Sequence, residues 1–311
     1  MDKDLEKQHK LMKSAGTASV VVALILIGIK LFAWNRTGSV SIFASFIDSG
    51  MDALASLINL IAIRIALEPA DEEHRFGHGK VEAIAGLAQA SFIAGSAFIL
   101  LLNAIDRIFT PREIKDVDTG IYVMVISLVF TIVLVIYQKQ VVKKTGSTAV
   151  KADSLHYVSD ILANLAAIGA LLLSLKGIHY ADIIVGLLIG FYILKSAWEI
   201  VREALDILLD RELPEEVKEE LAKEILSHPK VFGFHDLKTR QTGLRYFMQF
   251  HVEVDDDLSL MEAHEVSEEI EASLAKKFPG SESIVHIDPK SLYEKRPREG
   301  FSNPGEEPAD S

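Results

Sequence analysis

Two pairs of ionisable residues interrupt long apolar segments of the sequence. Asp48 and Asp52 lie four residues apart in one segment, and His156 and Asp160 have the same spacing in another. Four residues of an α-helix rise about 6 Å and return to the same face, so each pair projects in one direction. Two such helices facing each other would present three carboxylates and one imidazole around a shared point. This donor set suits a tetrahedral divalent metal ion.

These charges are expensive in an apolar setting. A carboxylate at the centre of a bilayer costs ~2.5–3.5 kcal/mol, and three would cost roughly 8–10 kcal/mol without compensation by a metal ion or protons. Imidazole nitrogen and carboxylate oxygen suit Zn²⁺, and the ligand types also admit Fe²⁺ and Cd²⁺. A lone membrane aspartate could instead fasten two helices together, a role better suited to Asn59, Asn103 and Asn164. Two pairs with the same spacing favour a metal site.

A second group of metal-ligand types follows the first pair. Asp71, His74 and His78 are separated by three and four residues in a charged stretch that also contains Glu72 and Glu73. This spacing could gather three ligands on one turn of helix or loop. Histidines in loops are usually solvated, so the pattern alone is a modest indication of a metal site.

A third group lies near the C-terminus. His286 and Asp288 are two residues apart and share one face of a predicted strand, while Val285 and Ile287 take the other face. His251 takes the polar face of a neighbouring predicted strand. A carboxylate flanked by several histidines commonly bridges two metal ions, and Asp288 is the residue we expect in that position. Three further histidines are expected to have no role: His9, His179 and His228.

The composition restricts the possible metal ligands and suggests two domains. The 311 residues include no cysteine, so any metal must be held by nitrogen and oxygen ligands. Hydrophobic residues make up 49% of the chain, yet its formal net charge is −12. Apolar runs fill the first two-thirds and charge collects after about residue 210. This asymmetry predicts a membrane domain followed by an acidic soluble domain.

The apolar runs predict six membrane-spanning helices, each meeting the ~20 residues that a ~30 Å hydrocarbon core requires. Their expected extents are 14–34, 39–67, 80–109, 119–138, 149–175 and 180–205. The loops on the side of the N-terminus contain ten Lys and Arg residues, against five on the other side. This bias places both termini in the cytoplasm.

The segment after residue 212 predicts a small α+β domain. Pro214 opens a helix to Ser227, two strands follow at 231–240 and 244–255, and a third strand covers 282–288. Ser259 and Glu262 form a capping box for the second helix, which extends to about residue 278. The predicted domains are a cytosolic N-terminal segment (1–13), a six-helix transmembrane domain (14–211), a cytosolic α-β-β-α-β domain (212–290) and a disordered tail (291–311). The fold class is thus a polytopic α-helical membrane protein with six transmembrane helices plus a C-terminal cytosolic α+β metal-binding domain.

From Ser14 to Asp288 the sequence resembles the cation diffusion facilitator family, in particular its bacterial zinc and ferrous-iron efflux pumps. The likeness rests on the six spans, the D-x-x-x-D of the second, the H-x-x-x-D of the fifth and the cytosolic α+β domain. It implies a homodimeric metal–proton antiporter of the bacterial inner membrane that exports zinc, and also cadmium or ferrous iron. It implies no organic cofactor and no nucleic-acid partner.

The resemblance also implies residue roles. The transport site would be Asp48, Asp52, His156 and Asp160. A loop site would be Asp71, His74 and His78. A structural or regulatory binuclear zinc site would be His235, His251, His264, His286 and Asp288. Lys80 and Asp210 match a charge pair that holds the dimer, although both could be ordinary interfacial charges that snorkel to water.

Proton exchange follows from the ligand chemistry, because metal ions and protons compete for the same nitrogen and oxygen atoms. The residues alone leave three other functions open: an intramembrane protease, a channel and a metal sensor. Intramembrane aspartyl proteases place one aspartate on each of two helices, whereas here one helix carries a pair. A channel needs weakly held ions, which four tight ligands disfavour. A membrane metal sensor would bind without transport.

Overall fold

The computed structural model describes residues 3–38, 40–109, 117–174 and 181–293. Six long helices come first: α1 (Lys3–Thr37), α2 (Val40–Ala66), α3 (Val81–Phe109), α4 (Val117–Thr145), α5 (Thr148–Ser174) and α6 (Ala181–Leu208). Within the described residues, α1, α2, α3, α4 and α6 each contain a segment long and apolar enough to cross a membrane. Helix α5 has 27 residues, but its first half carries several charged or titratable side chains. The predicted helical membrane domain is confirmed.

Two helix boundaries differ from the prediction by more than five residues. Helix α1 already begins at Lys3, because the polar segment before the first apolar run is rich in helix-forming residues and lacks a breaker. Helix α4 continues beyond the predicted end at 138 to Thr145. Gly146 ends it in the left-handed region, at φ 67°, and its N–H donates to the carbonyl of Val142 at 2.7 Å.

Small residues allow the membrane helices to approach one another. Helix α5 packs against α2, α3 and α4. The fully buried Ala90 of α3 lies in one apolar cluster with Ala152 of α5 and Ile200 of α6. Gly16 of α1 lies so close to α2 that an added Cβ would be 3.0 Å from the Leu60 side chain. Close packing of this kind brings polar groups of different helices within hydrogen-bonding distance.

The described residues form two compact units, one within residues 7–206 and the other made of residues 207–293 together with residues 3–6. The second unit contains α7 (Glu215–Leu226), β1 (Gly233–Thr242), β2 (Arg245–Val254), α8 (Leu260–Lys277), β3 (Glu282–Pro289) and a short α9 (Lys290–Tyr293). The predicted α-β-β-α-β order is confirmed, including the capping box of Ser259 and Glu262. Most of the tail predicted to be disordered, residues 294–311, lies outside the described residues.

The sheet has strand order β1-β2-β3, with β1 antiparallel and β3 parallel to β2. One face forms the core with the two long helices of this unit, through residues such as Phe250, Val252, Ile270 and Leu274. Because strand residues alternate between faces, the odd-numbered residues of β2 lie on the opposite face. That opposite face carries the histidines.

Candidate metal centres

Helices α2 and α5 bring three of the four predicted transport-site residues together. Nε2 of His156 lies 3.1 Å from Oδ1 of Asp52 and 3.9 Å from Oδ2 of Asp160. One ligand atom from each of these residues lies within 4.8 Å of the other two. His156 is buried, and both carboxylates are partly buried. Asp52, His156 and Asp160, hereafter the intramembrane group, therefore offer one nitrogen and two carboxylates to a metal ion.

Asp48, the fourth predicted ligand, is not part of this group. It is exposed and lies one turn before Asp52 on α2. Its role as a ligand stays a prediction.

The start of α5 is fixed by a capping arrangement. Ser147 precedes the helix and accepts the N–H of Val150 at 3.2 Å. The buried carboxylate of Glu82, at the start of α3, accepts the Ser147 hydroxyl and, at 3.2 Å, the N–H of Ala149. An anionic group at a helix N-terminus is stabilised by the helix dipole. These bonds fix the end of α5 that leads to His156.

A fully buried carboxylate lies one turn before His156. Asp153 is 1% exposed. It accepts hydrogen bonds from Ser19 Oγ of α1 at 2.5 Å and Gln138 Nε2 of α4 at 2.7 Å. Ser56 of α2 donates to it at a longer 3.4 Å and also contacts the Tyr157 hydroxyl at 2.9 Å. Asp153 thus joins four helices beside the intramembrane group.

The sequence analysis missed three charged residues in these helices: Lys30, Glu82 and Asp153. The available signal was the same one that identified the predicted site, namely an ionisable residue in an apolar segment. What the sequence does not give is the partner of each residue on a neighbouring helix.

The loop group, Asp71, His74 and His78, is also assembled as predicted from the spacing. Oδ1 of Asp71 is 3.4 Å from Nδ1 of His74, and Oδ2 is 3.3 Å from Nε2 of His78. The second ring nitrogen of His78 is buried and has no hydrogen-bond partner among the described residues. The backbone N–H of His74, with a smaller contribution from that of Glu73, holds the pKa of Asp71 below its usual value. The carboxylate is therefore ionised and available as a ligand.

Three predicted histidines form a row across the sheet. The register pairs His235 of β1 with His251 of β2, and His251 with His286 of β3. A β-bulge follows His235, where Asp236 takes φ 52°. Because the bulge places an extra residue opposite β2, Leu237 points to the core while His235 stays on the opposite face.

Asp288 lies at the centre of this row. Its Oδ2 is 2.8 Å from His251 Nδ1 and 3.3 Å from His235 Nε2. Its Oδ1 is 3.4 Å from His286 Nε2. Burial raises the pKa of Asp288, but the hydrogen bond from His251 and the charges of the three histidines outweigh burial and lower it. His235, His251 and Asp288, hereafter the cytosolic group, place both carboxylate oxygens near imidazole nitrogens.

Glu253 was missed by the sequence analysis and borders this group. It is buried, and its Oε1 lies 3.1 Å from Nδ1 of His235. The alternation of side chains along a strand could have identified it, because Glu253 is two residues after His251 on β2 and therefore shares its face. It orients His235 from the side opposite to Asp288.

His264 does not join the cytosolic group within one chain. It lies exposed on α8, where its Nε2 is 3.4 Å from Glu268 of the same helix. Val266 and Ile270 pack α8 against the core face of the sheet, whereas the histidine row lies on the other face. Its predicted ligand role stays a prediction.

The predicted charge pair of Lys80 and Asp210 also stays a prediction. Asp210 takes φ 56° and lies 3.5 Å from Nη1 of Arg240. Lys80 precedes α3, where its carbonyl accepts the N–H of Ala83 at 3.1 Å.

The three groups share one chemistry. Each contains a carboxylate within hydrogen-bonding reach of imidazole nitrogen, and none contains a nucleophile paired with a base. Such sites bind divalent metal ions through nitrogen and oxygen.

Family models and curated relatives match most of this chain. The model of the cation efflux transmembrane domain matches residues 16–209, and that of the cation efflux protein cytoplasmic domain matches residues 213–290. The cation-efflux pump FieF of Citrobacter koseri is 48% identical over 291 residues, which cover 94% of this chain and 96% of the relative. FieF of Yersinia enterocolitica is 46% identical over 286 residues, 92% of this chain and 95% of the relative. The metal-bound C-terminal domain of the CzcD transporter from Thermotoga maritima is 25% identical, with a TM-score of 0.22, and covers 24% of this chain and 94% of that domain.

Proposed function

The chain belongs to the cation efflux family, also called the cation diffusion facilitators, and is a metal-cation transporter rather than an enzyme; on this premise we propose that it exports zinc from the bacterial cytoplasm in exchange for protons. The observation that carries the proposal is the intramembrane group. Two membrane helices meet there through one imidazole and two carboxylates, whose ligand atoms lie within 4.8 Å of one another. Asp48 completes the proposed ligand set on the same helix as Asp52.

Zinc is the proposed cargo because the donor set matches its preference. Zn²⁺ favours four tetrahedral ligands and accepts both imidazole nitrogen and carboxylate oxygen. The same donors accept Cd²⁺ and Fe²⁺, so these ions are proposed as further substrates. The relatives named FieF are described as cation-efflux pumps, which agrees with this class of cargo.

Protons are the proposed counter-ion because they compete for the same atoms. An imidazole and a carboxylate must be deprotonated before they bind a metal ion. Acidity on the outer side therefore favours metal release, and the neutral cytoplasm favours proton release and metal binding. The helices α2 and α5 would expose the intramembrane group to the two sides in turn. No covalent bond is made or broken in this cycle.

The loop and cytosolic groups are proposed as additional zinc sites. Asp71, His74 and His78 would hold one ion in the loop after α2. The cytosolic group, with His286 and His264, would hold a binuclear site near the interface of a homodimer, with Asp288 as the bridge. Zinc bound there would stabilise the dimer and raise transport when cytosolic zinc is abundant.

The proposed setting is the bacterial inner membrane, with both termini in the cytoplasm. The excess of Lys and Arg in the loops on the side of the N-terminus supports this orientation. Lys80 and Asp210 are proposed as the charge pair that holds the dimer.

The test uses the full chain reconstituted in vesicles that contain a zinc-sensitive dye. We expect zinc uptake to increase with an imposed pH gradient, and Asp52→Ala to abolish it. Glu199→Gln is the matched control, because this carboxylate is 62% exposed on α6 and belongs to none of the three groups. Zinc flux that does not depend on the pH gradient would indicate a channel. Zinc binding without flux would indicate a sensor. Transport that survives in Asp52→Ala would overturn the site assignment.

A further inference from the structure

A lysine of α1 reaches the helix that carries Asp52. Lys30 is partly buried within an apolar segment of α1 that is long enough to cross a membrane. Its ammonium donates to Ser49 Oγ at 2.6 Å and to the backbone carbonyl of Ser45 at 3.1 Å. Ser49 is 2% exposed and lies three residues before Asp52, on the same face of α2.

This arrangement differs from a lysine that snorkels to the membrane surface. Lys30 lies seven residues before the end of α1 at Thr37, which corresponds to about 10 Å along the helix. A snorkelling ammonium would extend toward the helix end and water. The Lys30 ammonium instead bonds to a buried hydroxyl of the neighbouring helix.

The charges around the Lys30 ammonium come from the proposed transport site. Its electrostatic partners are the carboxylates of Asp52, Asp160 and Asp48. Its hydrogen bonds go to Ser49 and Ser45 rather than to a carboxylate, so the ammonium leaves the proposed ligand atoms free for a metal ion. A metal ion and the ammonium can therefore be present together.

The charge of Lys30 changes the net charge of the proposed transport site. Three ionised carboxylates carry −3, and the ammonium of Lys30 reduces this to −2. One divalent cation then neutralises the whole assembly, whereas a monovalent cation leaves it negative. A group of charges within a membrane is most stable when the charges cancel, because uncompensated charge is costly in low dielectric.

We propose that Lys30 is a fixed counter-charge of the transport site, which matches the site to one divalent cation and keeps that cation's affinity low enough for release. This inference rests on the proposed function. The ammonium repels a bound metal ion of the same sign, and the repulsion is strong where water is scarce. A transporter gains from this repulsion because cargo that is bound too tightly cannot leave.

The test measures zinc affinity in the full chain, in a background of Asp71→Ala and Asp288→Ala that disables the loop and cytosolic groups. Lys30→Met removes the charge and keeps most of the volume, while Lys30→Arg keeps the charge and is the matched control. We expect Lys30→Met to lower the Kd for zinc by about tenfold or more. In vesicles it should lower both the KM and the maximal rate, since release becomes slower. Lys30→Arg should stay close to the parent on all three measures.

The sign of the change separates this role from a structural one. A lysine that only supported the fold would, when replaced, loosen the site and weaken zinc binding. An unchanged or higher Kd in folded Lys30→Met would therefore overturn the proposal. If Lys30→Met does not fold, Lys30→Gln is measured in its place with the same expectation.

Asp52→Ala in the same background separates this inference from the proposed function. Zinc binding that survives in Asp52→Ala would overturn the site itself, and the role of Lys30 with it. Loss of binding in Asp52→Ala together with an unchanged Kd in Lys30→Met would overturn the role of Lys30 alone.

Discussion

His156 Nε2 lies 3.1 Å from Oδ1 of Asp52, and this contact joins α5 to α2 at the proposed transport site. Both side chains are ligand types, and their helices are fixed independently by other bonds. The bonds of Glu82 and Ser147 fix the start of α5, and Asp153 ties the same helix to α1, α2 and α4. The geometry of the site therefore depends on residues that lie outside the three groups of metal-ligand types.

Asp160→Asn should abolish transport without unfolding the protein. Oδ2 of Asp160 lies 3.9 Å from His156 Nε2, and an amide is a poorer metal ligand than a carboxylate. Loss of a group that only orients a ligand typically costs 10–100-fold in affinity, so loss of a ligand should cost about 100-fold or more. Zinc flux in vesicles and titration of the purified protein measure the effect. Asn164→Ala on the same helix is the control, and comparable loss there would show that the helix, not the ligand, is affected.

Asp153→Ala should destabilise the membrane domain. The substitution removes the acceptor that Ser19 Oγ and Gln138 Nε2 share, and loss of a buried hydrogen-bond partner costs about 1–3 kcal/mol. Among the described residues, Ser19 Oγ then keeps only the Ala15 carbonyl as an acceptor at 3.1 Å, and Gln138 Nε2 keeps only Ser19 Oγ at 2.9 Å. We expect a loss of about 3 kcal/mol in the free energy of unfolding, measured by chemical denaturation in mixed micelles. Ser19→Ala leaves Asp153 with its donors Gln138 and Ser56, so it should cost less, about 1 kcal/mol. Equal stability of Asp153→Ala and the parent would contradict the structural role of this carboxylate.

Much of the site could be predicted from the sequence, because helix and strand periodicity alone determine which residues share a face. The spacing of four residues placed His156 and Asp160 together, and alternation along β3 placed His286 and Asp288 opposite Val285. Contacts between residues of different elements could not be predicted in this way. They depend on how the helices and strands pack, which no local sequence pattern specifies.

The residues that the sequence analysis missed, or assigned only by resemblance, illustrate this limit. His264 was assigned to the cytosolic site by resemblance, but the rotation of α8 is set by the packing of Val266 and Ile270 on the core face. The position of His235 depends on the bulge at Asp236, which appears only when two strands pair. Lys30 and Asp153 were visible as charges in apolar segments, but their partners lie on other helices.

Asp288→Asn should lower the stability of the metal-free protein in a pH-dependent way. The pKa of Asp288 is lowered in the folded state, so its carboxylate contributes stability above its unfolded pKa of about 3.9. That contribution disappears as the pH falls through the lower folded pKa. In the presence of a chelator, the difference in unfolding free energy between parent and variant should be full at pH 5–7 and shrink below about pH 4. A difference that stays constant with pH would contradict an electrostatic origin.

Gly233→Ala should weaken metal binding at the cytosolic group through Glu253. A Cβ on Gly233 would lie 2.7 Å from Oε2 of Glu253, so the carboxylate must move. Oε1 of that carboxylate lies 3.1 Å from Nδ1 of His235 and orients the ring. Loss of such orientation typically costs 10–100-fold in metal affinity, and a partial shift should cost about three- to tenfold. Zinc titration of the full chain, with the other two groups disabled by Asp52→Ala and Asp71→Ala, measures this effect. Glu253→Gln keeps the volume and should give a loss of similar size, because an amide holds the His235 ring less firmly than a carboxylate. Unchanged affinity in both variants would show that His235 is held without Glu253.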